Sequence, residues 1–96
     1  MSQRHRLTDT EISERLSKLE GWKIQDKKLH KEFNFENFID AFKFMTAGAL
    51  ACEKFDHHPE WSNIYNKVIV NLNTHDISGI SDLDFKIATI IDHNAA

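Results

Sequence analysis

The spacing of apolar residues switches between helical and strand periods several times within 96 residues, and this alternation restricts the fold more than any other feature. Thr8 followed by Glu11 forms a capping box, which satisfies two free backbone donors at a helix start. Ile12, Leu16 and Leu19 then fall at helical spacing and Gly21 suits the stop, so a first helix of about three turns is expected. Residues 22–25 alternate apolar and polar, 26–28 read as a turn, and 29–35 alternate again. Leu29, Phe33 and Phe35 take one face of that second strand, with His30, Glu32 and Asn34 on the other. Next, Phe35, Phe38, Phe42, Met45, Ala49 and Cys52 recur every three or four residues as one apolar stripe, which predicts a helix over about 36–55. Gly48 weakens it slightly. Pro59 keeps His58 out of the α region, so the helix stops before the His pair.

The second half repeats the order. A third strand is expected over 61–65, a short turn at 66–67, and a fourth strand in which Val68, Val70 and Leu72 alternate with Ile69, Asn71 and Asn73. Residues 76–80 form a loop containing Gly79. Ser81 with Asp84 makes a second capping box, and Leu83, Ile87, Ile90 and Ile91 give the last helix its buried face. The expected fold class is α+β, in the order α-β-β-α-β-β-α: a four-stranded antiparallel sheet with helices packed on one face. No repeat or internal boundary interrupts it, so residues 1–96 read as one domain, with 1–6 as a loose leader.

Charge and cysteine content narrow the function. The net charge of −3 and the lack of a basic run leave no footprint for direct nucleic-acid binding, and Arg4, His5 and Arg6 are too few to supply one. The apolar runs are far too short to span a membrane. The opening segment has no apolar signal region, so secretion is not expected. Cys52 is the single cysteine; it excludes an internal disulfide and suits a reducing, cytoplasmic setting. A chain of this size buries only about 60–65% of its unfolded surface, so its stability margin is thin and self-association is one way to widen it. A four-stranded sheet also leaves two edges open to pairing. A homodimer, or a homotetramer built as a dimer of dimers, is therefore expected.

Titratable groups concentrate at one junction. The segment from Glu53 through Asp56, His57, His58, Pro59 and Glu60 to Trp61 lies between the long helix and the third strand. His75, flanked by Thr74 and Asp76, follows the fourth strand, whose end lies near the start of the third if the two pair antiparallel. His57, His58 and His75 can therefore converge. Imidazole titrates near neutral pH and suits general acid–base work, a carboxylate such as Glu53 or Asp56 can fix its tautomer, and Trp61 or Phe55 can stack on a flat heterocycle. Each residue also has a plainer reading. The His pair can be solvated imidazolium at a helix C-terminus, and His75 a polar strand end. Asp84 reads as a helix cap before a catalyst, Trp61 and Phe55 as core, Cys52 as a small buried hydrophobe, and Asn71 and Asn73 as solvent face. Three His with Asp and Glu nearby could also hold zinc or iron. Adjacent His57 and His58 point opposite ways in an extended segment, however, and neither a His-x-x-x-His spacing nor a Cys pair is present.

Several stretches together carry a family resemblance. Glu-Lys-Phe-Asp-His-His-Pro-Glu-Trp at 53–61, Tyr-Asn-Lys-Val at 65–68, Thr74-His75, and Gly79-Ile80-Ser81 with Asp84 closely resemble the signature of the pterin-4a-carbinolamine dehydratases. Residues 5–7, 31–35 and 41–46 look similar too, so the likeness runs from about residue 5 to about 92. The resemblance implies the same fold. It implies dehydration of 4a-hydroxytetrahydrobiopterin to quinonoid dihydrobiopterin in tetrahydrobiopterin recycling, with no metal and no organic cofactor. By position, His57 and His75 would act as acid and base and His58 would bind the pterin. Substrate contacts would come from His57, His58, Pro59, Thr74, His75, Asp76 and Ile77, with Glu53, Trp61 and Asp84 in support. Animal members of the family are similar to a dimerisation cofactor of a homeodomain transcription factor. A partner helix of that kind, and a nuclear as well as cytoplasmic location, is the other implication.

Overall fold

A computed structural model of the protein describes residues 5–96; the first part of the expected leader, 1–4, lies outside the described residues. The elements are α1 (Asp9–Leu16), β1 (Lys23–Gln25), β2 (Lys28–Asn34), α2 (Phe38–Lys54), β3 (Glu60–Ile64), β4 (Lys67–Leu72), a short 3₁₀ turn (His75–Ile77) and α3 (Asp82–Ala95). The four strands form one antiparallel sheet in the order β1-β2-β4-β3. This is the expected α+β arrangement, with the 3₁₀ turn added in the loop after β4.

Local chemistry explains most boundaries. The Thr8–Glu11 capping box starts α1. That helix ends a turn earlier than its apolar spacing suggests. The Ser17 hydroxyl donates to the Glu14 carbonyl, and the chain tightens through bonds from Lys18 to Arg15 and from Leu19 to Leu16. Asp26 and Lys27 both take positive φ, the geometry of the tight two-residue hairpin that sets the β1–β2 register. Residue 6 is not loose leader: Arg6 bridges Ser81, and the buried Leu7 donates its N–H to the Ile80 carbonyl at 2.8 Å.

Leu29, Phe33, Val68, Val70 and Leu72 line the buried face of the sheet, as the strand alternation requires. Leu83, Ile87, Ala88 and Ile91 of α3 pack onto them. Each fully buried aliphatic side chain contributes about 1.5–3 kcal/mol. The far end of α3 is fixed by Asp92, which accepts from Trp22 Nε1 at 2.9 Å and from Lys31 Nζ at 2.8 Å.

The apolar stripe of α2 is rotated from its expected position. Ala41, Phe44, Gly48 and Cys52 are buried, whereas Phe38, Phe42 and Ala49 turn outward with Ile39 and Leu50. Helical spacing could not choose between the two faces, because α2 carries apolar residues on both. Close approach chose. A Cβ on Gly48 would lie 3.2 Å from the Trp61 ring, a tight contact that favours a small residue there.

Candidate active site

The site is built at the two ends of the β3–β4 hairpin farthest from its turn. α2 stops in a Schellman arrangement: the Asp56 N–H donates to the Glu53 carbonyl at 3.1 Å and the His57 N–H to the Cys52 carbonyl at 3.1 Å. Asp56 takes the left-handed conformation, φ 51°, that this closure needs, a role aspartate tolerates better than most residues. The turn swings His57 back beneath the helix end, where it is 4% exposed. Pro59 follows and launches β3.

His57 meets a buried polar network. Its Nε2 lies 2.5 Å from Asp84 Oδ1. The other oxygen of Asp84 accepts from the Ser81 N–H at 2.9 Å and from the Thr74 hydroxyl at 2.9 Å. Thr74 Oγ1 lies 2.6 Å from Ser81 Oγ, and since the Thr74 proton is already donated, the Ser81 hydroxyl is the donor there. Thr74, Ser81 and Asp84 are all fully buried. A buried carboxylate with three donors is an acceptor throughout. His57 therefore presents Nε2–H to it, which leaves Nδ1 as the nitrogen not committed to Asp84. Asp84 thus does both things asked of it: it closes the first turn of α3 and it orients an imidazole.

His75 is held quite differently. It opens the 3₁₀ turn just after β4. That turn is closed by Thr74 N–H to Gly79 carbonyl at 2.7 Å and Ser78 N–H to His75 carbonyl at 3.1 Å. Its side chain is 70% exposed, and Nε2 lies 3.5 Å from Glu60 Oε2. His58 points the other way from His57, into solvent, with Nε2 2.9 Å from Glu53 Oε1.

Asp56, His57, His58, Pro59, Glu60, His75 and Asp76 line one cavity of about 480 Å³, within the range of small-molecule sites. Three imidazoles thus share a cavity with three carboxylates. Among the described residues, no three His, Cys, Asp or Glu side chains converge as metal ligands.

The remaining expected residues are placed elsewhere. Thr74 is sealed beneath the site, and its hydroxyl, N–H and carbonyl are all used internally, so it is a support and not a wall. Asp84 likewise acts from below. Ile77 and Glu53 border the region without lining the cavity, Glu53 through its bond to His58. Trp61 does not offer a stacking face: it lies on the core side of β3 against Gly48, and Phe55 packs into the core as well. Cys52 is buried, and desolvation pushes its thiol up to about 11, so it is no nucleophile near neutral pH. Glu60 and Ser81 escaped the sequence reading as site residues. Glu60 sits inside the 53–61 segment, but only the strand register shows what it faces.

Comparison with known proteins identifies the family. The family model for pterin 4 alpha carbinolamine dehydratase matches residues 5–94. A putative pterin-4-alpha-carbinolamine dehydratase of Prochlorococcus marinus strain AS9601 is 54% identical over 85 residues, covering 88% of each chain. One from Sinorhizobium fredii is 53% identical over 87 residues, covering 88% of this chain and 83% of its own. The crystal structure of a transcriptional coactivator/pterin dehydratase from Brucella melitensis superposes with a TM-score of 0.93 at 44% identity, covering 96% of this chain and 100% of the other. With nearly the whole length matched, the chain belongs to the pterin-4a-carbinolamine dehydratase family.

Proposed function

We propose that this hydro-lyase converts 4a-hydroxytetrahydrobiopterin to quinonoid dihydrobiopterin and water by histidine acid–base catalysis, as a step in tetrahydrobiopterin recycling. The observation that carries the reading is a single cavity holding one buried, carboxylate-backed imidazole and one exposed imidazole. The reaction breaks the C4a–O bond and removes the proton from N5, and the electron pair of the N5–H bond forms the new N5=C4a double bond. The leaving oxygen needs a proton and N5 must lose one. His57, backed by Asp84, is suited to take the N5 proton on Nδ1, because the buried carboxylate stabilises the imidazolium that forms. His75 is suited to protonate the leaving hydroxyl and to recover its proton from solvent. Acid–base help of this type gives typically 10²–10⁴-fold. His58, with Pro59 and Asp76 on the cavity wall, would hold the pterin. No step calls for a metal or an organic cofactor.

The test is to generate the 4a-hydroxytetrahydropterin in situ with an aromatic hydroxylase and follow its dehydration spectroscopically. Acceleration by the protein, lost in His57→Ala and His75→Ala, supports the reading; no acceleration by the unaltered protein would sink it.

Assembly forms a second part of the proposal. Among the described residues the outer edge of β3 is unpaired, and α2 exposes Phe38, Ile39, Phe42 and Leu50 along one side, the last at 72%. A homodimer or homotetramer would cover such surfaces. The Brucella melitensis protein is a transcriptional coactivator/pterin dehydratase, and a transcription-factor helix is the alternative occupant. No helix among the described residues is long and apolar enough to cross a membrane, which fits the cytoplasmic, or also nuclear, setting proposed. Sedimentation at micromolar concentration distinguishes a monomer from the oligomers.

A further inference from the structure

The sheet places Glu60 between Lys28 and His75. The register pairs Glu60 of β3 with Asn71 of β4, and His30 of β2 with the same Asn71 from the other side. Lys28, two residues before His30, therefore projects from the same outer face of the sheet. It reaches across the end of β4 to Glu60, with Nζ 2.6 Å from Oε1. The second oxygen of Glu60 lies 3.5 Å from His75 Nε2. The three side chains come from three elements and form a line, Lys28 to Glu60 to His75, that ends in the cavity. The His75 side chain is largely exposed, and its backbone bonds serve the 3₁₀ turn.

We infer that Glu60 is a positioning residue for His75, and that Lys28 sets how firmly Glu60 holds it. The inference rests on the acid–base reading of His75 above. A carboxylate facing Nε2 selects one ring orientation and leaves Nδ1 as the nitrogen free to face substrate. Lys28 competes for the same carboxylate, so it anchors Glu60 in place while weakening its electrostatic pull on the imidazole. The other charged groups facing His75 are Asp76 on its own turn and Asp56, His57 and His58 from the α2–β3 connection.

The experiment measures His75 directly. The ring is titrated by NMR in the unaltered protein, Glu60→Gln, Glu60→Asp and Lys28→Met, alongside kcat and KM for dehydration of 4a-hydroxytetrahydropterin. Loss of the carboxylate removes a stabiliser of imidazolium, so the His75 midpoint is expected to fall in Glu60→Gln. Loss of the competing ammonium moves it the opposite way in Lys28→Met. In Glu60→Gln, kcat drops about three- to tenfold while KM stays within about twofold, and Glu60→Asp recovers part of the loss. Opposite movements in the two variants are not expected of a merely structural ion pair. A His75 midpoint unmoved by Glu60→Gln, or a rise in KM with kcat unchanged, overturns the inference while leaving His75 catalysis standing. An unaltered protein without dehydratase activity fails the underlying reading instead, and the NMR arm still reports whether Glu60 couples to His75.

Discussion

His57 and His75 share a cavity but are held in opposite ways. His57 sits beneath a helix end, its Nε2 committed to Asp84, which is in turn committed to Thr74 and Ser81. His75 stands on a short turn in solvent, touched by one carboxylate at the edge of contact distance. The first half is preorganised at a structural cost, since every buried polar atom in it needs a partner. The second half is cheap to build and free to exchange protons. If both rings act as proposed, stability and catalysis are coupled on one side of this site and nearly independent on the other, and substitutions can break or sharpen that distinction.

The largest effect is expected from Asp84→Ala. It strands the Ser81 N–H, the Thr74 hydroxyl and His57 Nε2 in the interior, so it should cost about 3–5 kcal/mol of stability in urea unfolding as well as the dehydratase rate. Asp84→Asn keeps the volume and a reasonable helix cap. A large rate loss in that variant with unfolding little changed would place the carboxylate in catalysis.

His57→Ala and His75→Ala form the sharpest pair. Both should lower kcat by about 10²-fold or more. Only His57→Ala should also destabilise the fold, by about 1–3 kcal/mol, because it leaves Asp84 short of a donor; His75→Ala should unfold within about 0.5 kcal/mol of the parent. Equal unfolding midpoints for the two would erase the distinction between the halves.

Thr74→Val tests the placement of Thr74 beneath the cavity. Losing the hydroxyl should cost about 1–3 kcal/mol and lower kcat through the Asp84–His57 contact, with KM little changed. A selective rise in KM would return Thr74 to the cavity wall.

Cys52, whose carbonyl accepts the His57 N–H, reports on the buried half by pH. Its thiol is raised by burial from 9.0 to about 11. A folded-state value above the unfolded one favours the protonated fold, so the contribution is complete below pH 9.0 and is lost as pH rises through about 11. The stability of the protein relative to Cys52→Ala should therefore decline over that window, by up to about 2 kcal/mol. A flat difference would mean that the thiol is hydrated.

The smallest structural effects belong to the exposed His58–Glu53 pair. Glu53→Gln should change stability by less than about 0.5 kcal/mol, and His58→Ala should mainly raise KM. Loss of kcat without a change in KM in His58→Ala would give that ring a role in proton transfer.

Much of this was open to reading in the chain itself. Strand alternation placed Leu29, Phe33, Val68, Val70 and Leu72 on one face, and both capping boxes marked real helix starts, because these signals depend on neighbours within a few residues. His57 and His58 beside Pro59, with His75 after the next hairpin, stood out in the chain, and the fold brings all three to one cavity.

Tertiary structure decided the rest, wherever the sequence offered two equivalent answers. α2 has two apolar faces, and the buried one carries Gly48, where a Cβ would sit tightly, 3.2 Å from the Trp61 ring. The same packing turned Trp61 into core. Thr74, Ser81 and Asp84 look like a strand end and a helix cap in the chain, and become a histidine-orienting network only when β4 and α3 bring them under His57. Lys28 and Glu60 are 32 residues apart and meet across the end of β4 through strand register alone. Periodicity and capping act within a turn or two of chain and can be read from it; burial and long-range pairing depend on what the rest of the fold brings alongside, which no local pattern encodes.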